Sequence, residues 1–303
     1  MNRKLFVIIL NYNGCQDTLD CIESVLASDY KDLVIVVVDN ASTDNSYDVF
    51  SEKLSGEVVL LRSEKNIGYA GGNNIGIRYA QENRADYICV LNNDTVVLPN
   101  TFSKCISILE ENPNAGFVGP VILEYSENIV QSTGGNIYIQ KGEVTLNNNG
   151  KSIVQLPPQL PCDYIGGACI LLRASLLDQV GLIPEAYFLF FEETEWCYKA
   201  KQSGLQNLCV PDAYVRHKGS ASIDAIDGLH TYLMERNRVA FVRRNIGSPL
   251  RFFVYLLYQF LKTLYRAVFR EPLHWHYLRY QKDGALCLLD KKRFPFIVIK
   301  EEQ

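Results

Sequence analysis

This chain of 303 residues has no apolar run long enough to cross a bilayer. Its most apolar segment, PLRFFVYLLYQFLKTLYRAVFR at 249–270, is interrupted by Arg251, Gln259, Lys262 and Arg266. Near the start, Phe6–Leu10 passes at once into polar Asn11–Gly14, too short for the apolar core of a secretory signal. It reads better as a buried first strand, which places the protein in the cytoplasm. No C-x-x-C pair or Cys/His cluster at zinc spacing occurs. The nine cysteines lie mostly in apolar segments such as YICVL and GACILL, as expected of small buried residues in a reducing compartment. No G-x-x-x-x-G-K-[ST] is present, and LNYNG supplies one glycine where a dinucleotide fingerprint needs three. A net charge of −4 gives no global attraction to nucleic acid, so none is expected as a partner. Repeats and low-complexity tracts are also missing. With 48% apolar and 21% charged residues, disorder is excluded as well.

What is present is an alternation of strand-like and helical segments over the first 125 residues. Leu5–Leu10 reads as a strand and Asp17–Ala27 as a helix with Leu19, Ile22, Val25 and Leu26 on one face. Leu33–Val38 is a β-branched run of the kind covered on both sides in a parallel sheet. Helix 44–53, strand 58–61, helix 72–82 and strand 87–91 follow. This order predicts an α/β fold with a doubly wound, mostly parallel sheet and helices on both faces. Residues 126–162 change character, with Gly134-Gly135, Asn147–Gly150 and Pro157-Pro158 flanking short alternating runs at Asn136–Gln140 and Glu143–Leu146. They read as a hairpin and loop against the sheet edge.

In such sheets ligands bind beyond the carboxyl ends of the strands. Those positions hold Asn11-Tyr12-Asn13-Gly14, Asp39-Asn40-Ala41-Ser42, Asn66–Gly72 and Asn92-Asn93-Asp94. Any one could be a turn or helix cap, but together they predict a nucleotide site. Asp39 can accept hydrogen bonds from ribose hydroxyls or a pyrimidine imide, or cap the next turn. The glycine-dense run Asn66–Gly76 would open helix 72–82 and bring backbone N–H groups close to a phosphate or sugar. Asp94 is the one carboxylate of its station and a candidate ligand for Mg²⁺ or Mn²⁺, with His217 of VRHKGSAS as a second. The plainer readings are a strand-end turn and a hydrogen-bonded loop histidine. Glu192, Glu193 and Glu195 follow the aromatic run Tyr187–Phe191. Partial desolvation there would raise a carboxylate into the range of a general base, although acids at a helix start also complement its dipole.

These segments resemble family 2 glycosyltransferases of the GT-A fold, in particular a rhamnosyltransferase-like branch. The resemblance rests on VIILNYNG (7–14), VVVDNASTDNS (36–46), NIGYAGGNNIGI (66–77), VLNNDTVV (90–97), the stretch 166–204 beginning GGACILLRASLLDQVG, RHKGSAS (216–222) and ERNR (235–238). It implies a GT-A domain over 1–246, with a nucleotide-sugar half to about 125, an acceptor half beyond it, and a helical extension over 247–303. It further implies inverting transfer of a sugar from a nucleotide diphosphate, such as dTDP-rhamnose or a UDP-sugar, to an acceptor hydroxyl in cell-surface polysaccharide assembly. By the resemblance, Asn11, Asn13, Asp39, Asn66, Gly68, Gly72, Asn92 and Asn93 bind the donor. Asp94 and His217 hold the metal. Gly166, Gly167, Ala168 and Glu195 face a glycan or lipid-linked acceptor. Glu193, with Glu192 as rival, is the base. Two departures stand out: Asn92 sits where a D-x-D motif has an acid, and Glu193 where an aspartate is commoner. They are the best support for the alternative, a non-catalytic nucleotide-sugar-binding or assembly subunit.

On 249–270, Arg251, Gln259, Lys262, Thr263, Arg266 and Arg270 share about a third of the circumference, against a face of Phe, Leu, Val and Tyr. A basic stripe on a wide apolar helix predicts peripheral contact with the inner face of the cytoplasmic membrane; the alternative is a core or homodimer helix.

Overall fold

The computed structural model describes residues 3–54, 56, 58–153, 156, 160–219, 228–269 and 275–297. Pro157-Pro158, Ser220–Ser222, Arg270 and the end of the extension, 298–303, lie outside them. The chain begins as expected, with β1 (Leu5–Asn11), α1 (Cys15–Leu26), β2 (Leu33–Asp39), α2 (Ser46–Lys53), β3 (Val58–Arg62), α3 (Gly68–Glu82) and β4 (Tyr87–Asn92). Then come β5 (Thr95–Val97), α4 (Thr101–Glu111), β6 (Ala115–Glu124), β7 (Val130–Ser132), the hairpin β8 (Gly135–Tyr138) and β9 (Glu143–Leu146), β10 (Leu160–Cys162), β11 (Cys169–Arg173) and α5 (Leu177–Val180). The rest is α6 (Glu192–Gln202), β12 (Gln206–His217), α7 (Leu229–Asn245), α8 (Pro249–Phe269) and α9 (His276–Ala285).

The main sheet runs β10-β12-β6-β11-β4-β1-β2-β3. Strands β4, β1, β2 and β3 are parallel neighbours. β11 enters antiparallel between β4 and β6, while β12 lies parallel to β6. The sheet is therefore parallel through its first half and mixed beyond. The β-branched runs of β1 and β2 are buried because both faces are covered. One apolar core packs Ile22, Val25, Phe102 and Leu109 of α1 and α4 on one face; the other packs Ile77, Ala80, Trp196 and Ala200 of α3 and α6 on the opposite face.

Helix α3 starts four residues earlier than the sequence suggested, at Gly68 rather than 72. The expected helix start is corrected accordingly. Gly71, Gly72 and Gly76 sit in the helix, where a Cβ would strike Ile67, Leu10 and Ile8 within 2.9, 2.3 and 2.4 Å. Gly72 and Gly76 let the helix lie close on the sheet.

The last helices join the body. α9 packs on α7, with Gly284 against the Arg236 carbonyl, and Arg236 Nε donates to Leu288 O at 3.0 Å. All nine cysteines are free thiols.

Candidate active site

The tips of β1 and β2 are cross-braced. Asn11 is fully buried and donates from Nδ2 to Asp39 Oδ1 (3.1 Å) and Ser42 Oγ (2.9 Å), while its Oδ1 accepts from Thr18 Oγ1 and the Gly14 amide. Asp39 is equally buried; its Oδ2 accepts from the Ser42 amide and lies 3.6 Å from Arg62 Nε. Arg62 in turn stacks over the Tyr47 ring, 4.0 Å from its centroid. Asn13, exposed and left-handed at φ 56°, accepts from the Thr43 amide at 2.7 Å. Asn40 bonds Asn66 Oδ1 (3.0 Å) and Gly68 O, and Asn66 Oδ1 also accepts the Gly68 amide. Asn93 donates to Thr18 Oγ1 at 3.0 Å. The residues expected at the donor thus form one bonded edge, except Gly72, which faces Leu10 inside the helix packing, and Asn92, whose side chain lies by His217.

Asp94 and His217, far apart in sequence, meet because β12 pairs with β5 in a register that sets His217 against Thr95. His217 Nε2 is 3.3 Å from Asp94 Oδ1 and 3.5 Å from Asn92 Nδ2. The other ring nitrogen is 3.0 Å from Gln131 Oε1. Gln131 uses its amide to donate to Glu124 and to the His217 carbonyl, so its oxygen accepts and Nδ1 carries a proton. In the neutral ring, Nε2 then turns a lone pair toward a carboxylate oxygen. Two acceptors so placed suit a hard or borderline cation between them. Among the described residues no group of three or more His, Cys, Asp or Glu side chains gathers that could hold an ion. Gln131 went unnoticed in the sequence because nothing local marks it.

Glu192 and Glu193 open α6 after a strained turn. Phe188, Phe190 and Phe191 have φ of 71°, 69° and 76°, costly for residues with a Cβ. Buried partners hold them there. Asn237 donates its amide to the carbonyls of Tyr187, Leu189 and Phe190 at 3.1, 2.7 and 3.0 Å. Arg236, with no exposure, donates to Ala186 O (2.7 Å) and to Asn237 Oδ1. The middle two residues of ERNR therefore clamp the turn that presents the glutamates. That role was invisible in sequence, where two polar residues on a helix signal only a solvated face.

The neighbouring carboxylates differ. Glu193 lines a cavity of about 260 Å³ with Tyr164, Phe190, Met234, Arg238 and Gly142, Glu143, Val144 and Leu146 of the hairpin. Its Oε1 accepts from Tyr164 Oη at 3.1 Å, and its Oε2 is buried without a partner. Burial raises the Glu193 pKa, against the opposing Tyr164 hydrogen bond. Glu192 is 2% exposed; burial first, and the Glu193 charge second, push its carboxyl well above the usual range. Glu195, expected near the acceptor, is turned away. It accepts from Arg244 Nε (2.9 Å), Asn245 Nδ2 (3.1 Å) and Tyr187 Oη. Burial opposes its ionisation, but the Arg244 hydrogen bonds and charge outweigh that and lower its pKa.

Residues 166–168 tie the two stations together. Ala168 O accepts the Asn92 amide at 3.0 Å, beside Asp94. Gly167 lies against Glu193, where a Cβ would be 3.3 Å from Oε1, and its carbonyl accepts from Tyr69 Oη at 2.8 Å. A Cβ at Gly166 would meet only Tyr164 Oη, at 4.0 Å. The arrangement can hold a cation and a phosphate at the strand tips and a proton acceptor beside them.

Residues 6–181, more than half of the chain, match the model of glycosyl transferase family 2. Over 206 residues the chain is 28% identical to the low-salt glycan biosynthesis hexosyltransferase Agl10 of Haloferax volcanii, covering 66% of this chain and 62% of that one. It is 24% identical to the dTDP-rhamnosyl transferase RfbF of Shigella flexneri (81% and 82% covered). It is 23% identical to the N-acetylglucosaminyl-diphospho-decaprenol L-rhamnosyltransferase of Mycobacterium tuberculosis (83% and 89%). Among solved structures, GalNAc-T7 with UDP, GalNAc and Mn²⁺ superposes with a TM-score of 0.61 at 16% identity, covering 93% of this chain and 55% of that one. The Pyrobaculum calidifontis mannosyltransferase PcManGT, in complex with GDP-Man and Mn²⁺, gives 0.57 at 15% (94% and 74%). The likeness shows the GT-A fold.

Proposed function

The chain belongs to glycosyl transferase family 2, and from that premise we propose that it moves a hexosyl or deoxyhexosyl group, from dTDP-rhamnose or a UDP-sugar, onto a hydroxyl of a lipid-linked glycan. The step serves glycan assembly at the inner face of the cytoplasmic membrane. The observation that carries the reading is Glu193: a carboxylate with one buried, unpartnered oxygen, lining a cavity beside the residues that lead to Asp94.

Glu193 takes the proton of the acceptor hydroxyl as that oxygen attacks the anomeric carbon. The bond from carbon to the diphosphate breaks, the diphosphate leaves with the electron pair, and the anomeric centre inverts in one displacement. Tyr164 orients the carboxylate through its hydrogen bond. Glu192 lies deeper, and burial together with the Glu193 charge pushes its carboxyl well above the usual range, which leaves Glu193 the better placed of the two. Asn11, Asp39 and Asn66 shape the nucleotide end, and Gly166-Gly167 leave room for the sugar. Divalent Mg²⁺ or Mn²⁺, when bound by Asp94 and His217, supplies positive charge against the departing diphosphate. With Asn92 in place of an acid, the site grips it with less charge.

Single-turnover assays with labelled nucleotide sugars test this. Glu193→Gln should lower the transfer rate by about 10²–10⁴-fold while the fold and donor binding persist. Near-normal turnover would reject Glu193 as base. One observation favours a second reading: with the ring protonated, His217 and Asp94 form an ion pair that needs no metal. A non-catalytic nucleotide-sugar-binding subunit would then bind donor without Mn²⁺-stimulated transfer.

A further inference from the structure

Helix α8 buries a narrow, partly polar stripe and turns a wide apolar face outward. Its buried residues are Tyr255, Gln259, Thr263 and Ala267, spaced four apart. The polar ones are bonded inward: Gln281 donates to Thr263 Oγ1 at 2.9 Å, and Gln259 donates to Lys141 O at 3.4 Å. The outward face is apolar, with Phe253, Leu257, Leu261 and Val268 exposed by 63, 48, 53 and 60%. At about 100° per residue, these exposed positions and their neighbours span about half the circumference of a helix about 30 Å long. A contiguous apolar surface of that size is rare on a protein that meets only water.

The flank of that face identifies what covers it. Turning from the apolar centre, one meets Tyr258 and Tyr265, then Arg251, Lys262 and Arg266, and only then the buried polar stripe. Lys262 reaches over the Tyr258 ring, 5.8 Å from its centroid. No acidic residue occurs anywhere along the helix. A second copy packed symmetrically on this face would bring like charges together with nothing on the helix to offset them. Apolar centre, tyrosine margin and cationic flank match instead the layers of a bilayer surface: acyl chains, interface and anionic headgroups. No described helix is long and apolar enough to cross a membrane, so the helix would lie in the interface plane.

We propose that α8 is the membrane-docking surface of this protein and that it binds anionic lipid bilayers through its Phe253–Leu261–Val268 face. The β8–β9 hairpin links this surface to the cavity. Lys141 and Glu143 bond α8 through Gln259 and Lys262, while Gly142, Glu143, Val144 and Leu146 line the cavity at Glu193. The wall that seats the docking helix is thus also a wall of the acceptor pocket. The proposal deepens the lipid-linked acceptor reading and rests on it for the role of docking, but the binding is measured without donor or acceptor.

The test is co-sedimentation of the full chain with vesicles of phosphatidylcholine alone or mixed with phosphatidylglycerol. The chain should pellet with the anionic vesicles, less so as salt rises, and weakly with the neutral ones. Leu257→Glu combined with Leu261→Glu should weaken binding by about tenfold or more, with the thermal transition unchanged. Arg251→Glu combined with Arg266→Glu should remove the preference for anionic vesicles. Wild-type protein left in the supernatant with anionic vesicles at low salt overturns the proposal. So does unaltered binding of the leucine variant, or a dimer in solution that this variant splits. Vesicle binding without any sugar transfer leaves the docking standing and sinks the transferase reading instead.

Discussion

Glu192, Glu193 and Glu195 sit within four residues of one another, yet each has a different proton economy because each side chain leaves the helix in a different direction. Glu193 faces the cavity, and burial raises its pKa while Tyr164 opposes the rise. As a base it must be ionised, so the acid limb of the pH–rate profile should lie above the ordinary glutamate range. Tyr164→Phe removes a hydrogen bond that favours the charged form and should move that limb to still higher pH; an unmoved limb would remove Tyr164 from the base's surroundings. Glu192 is the stability counterpart. Its folded pKa lies above the unfolded one, so its contribution is complete below the usual glutamate range and is lost as pH rises through the raised value. Glu192→Gln should therefore melt at a higher temperature than wild type in alkaline buffer, with little difference in acid. Glu195 has the reverse sign: its pKa is lowered, so its contribution is present above the usual range and lost as pH falls through the lowered value. Glu195→Ala removes the carboxylate that accepts from Arg244, Asn245 and Tyr187 and should cost about 3 kcal/mol in denaturant titrations at neutral pH.

At the scale of elements, the turn 186–191 packs against the first residues of α3. The Tyr69 amide donates to Phe188 O at 2.8 Å, just inside the start of α3. Gly68, at φ 77°, leaves room for that contact, since a Cβ would lie 2.3 Å from the same carbonyl oxygen. Gly68→Ala must therefore strain the backbone and displace the turn together, and transfer should fall much more than donor affinity does. Asn237→Ala strands carbonyls on the other side of the turn and should cost about 2–3 kcal/mol, read as a lowered denaturation midpoint. A variant with wild-type stability would mean that the turn holds its left-handed residues without the clamp.

At the scale of the whole molecule, the end of the extension is bonded to α7. Tyr232 Oη accepts the Asp290 amide at 2.7 Å, and Arg236 uses the Leu288 carbonyl. Truncation after 246 should therefore expose Arg236 and the apolar face of α7 and lower the melting temperature, besides removing the docking helix. Mn²⁺ and donor together should raise the melting temperature more than the sum of either alone, and Asp94→Asn should abolish that excess; equal shifts in the variant would move the cation elsewhere. The alternation of strands and helices was legible in the residues because a period of two or of 3.6 is a local property of the chain. So were the polar strand tips, because a doubly wound sheet sends every parallel strand to the same edge. Local pattern likewise marked 249–270 as apolar with one polar stripe. Which way that stripe points could not be read, since it depends on what Gln259 and Thr263 find to bond. The resemblance pairs Asp94 and His217 as metal ligands, but the register that brings them together was hidden, as were the diversion of Glu195 to Arg244 and the clamp by Asn237. Each is a contact between segments tens of residues or more apart, and only the register of packed strands and helices decides which distant side chains meet.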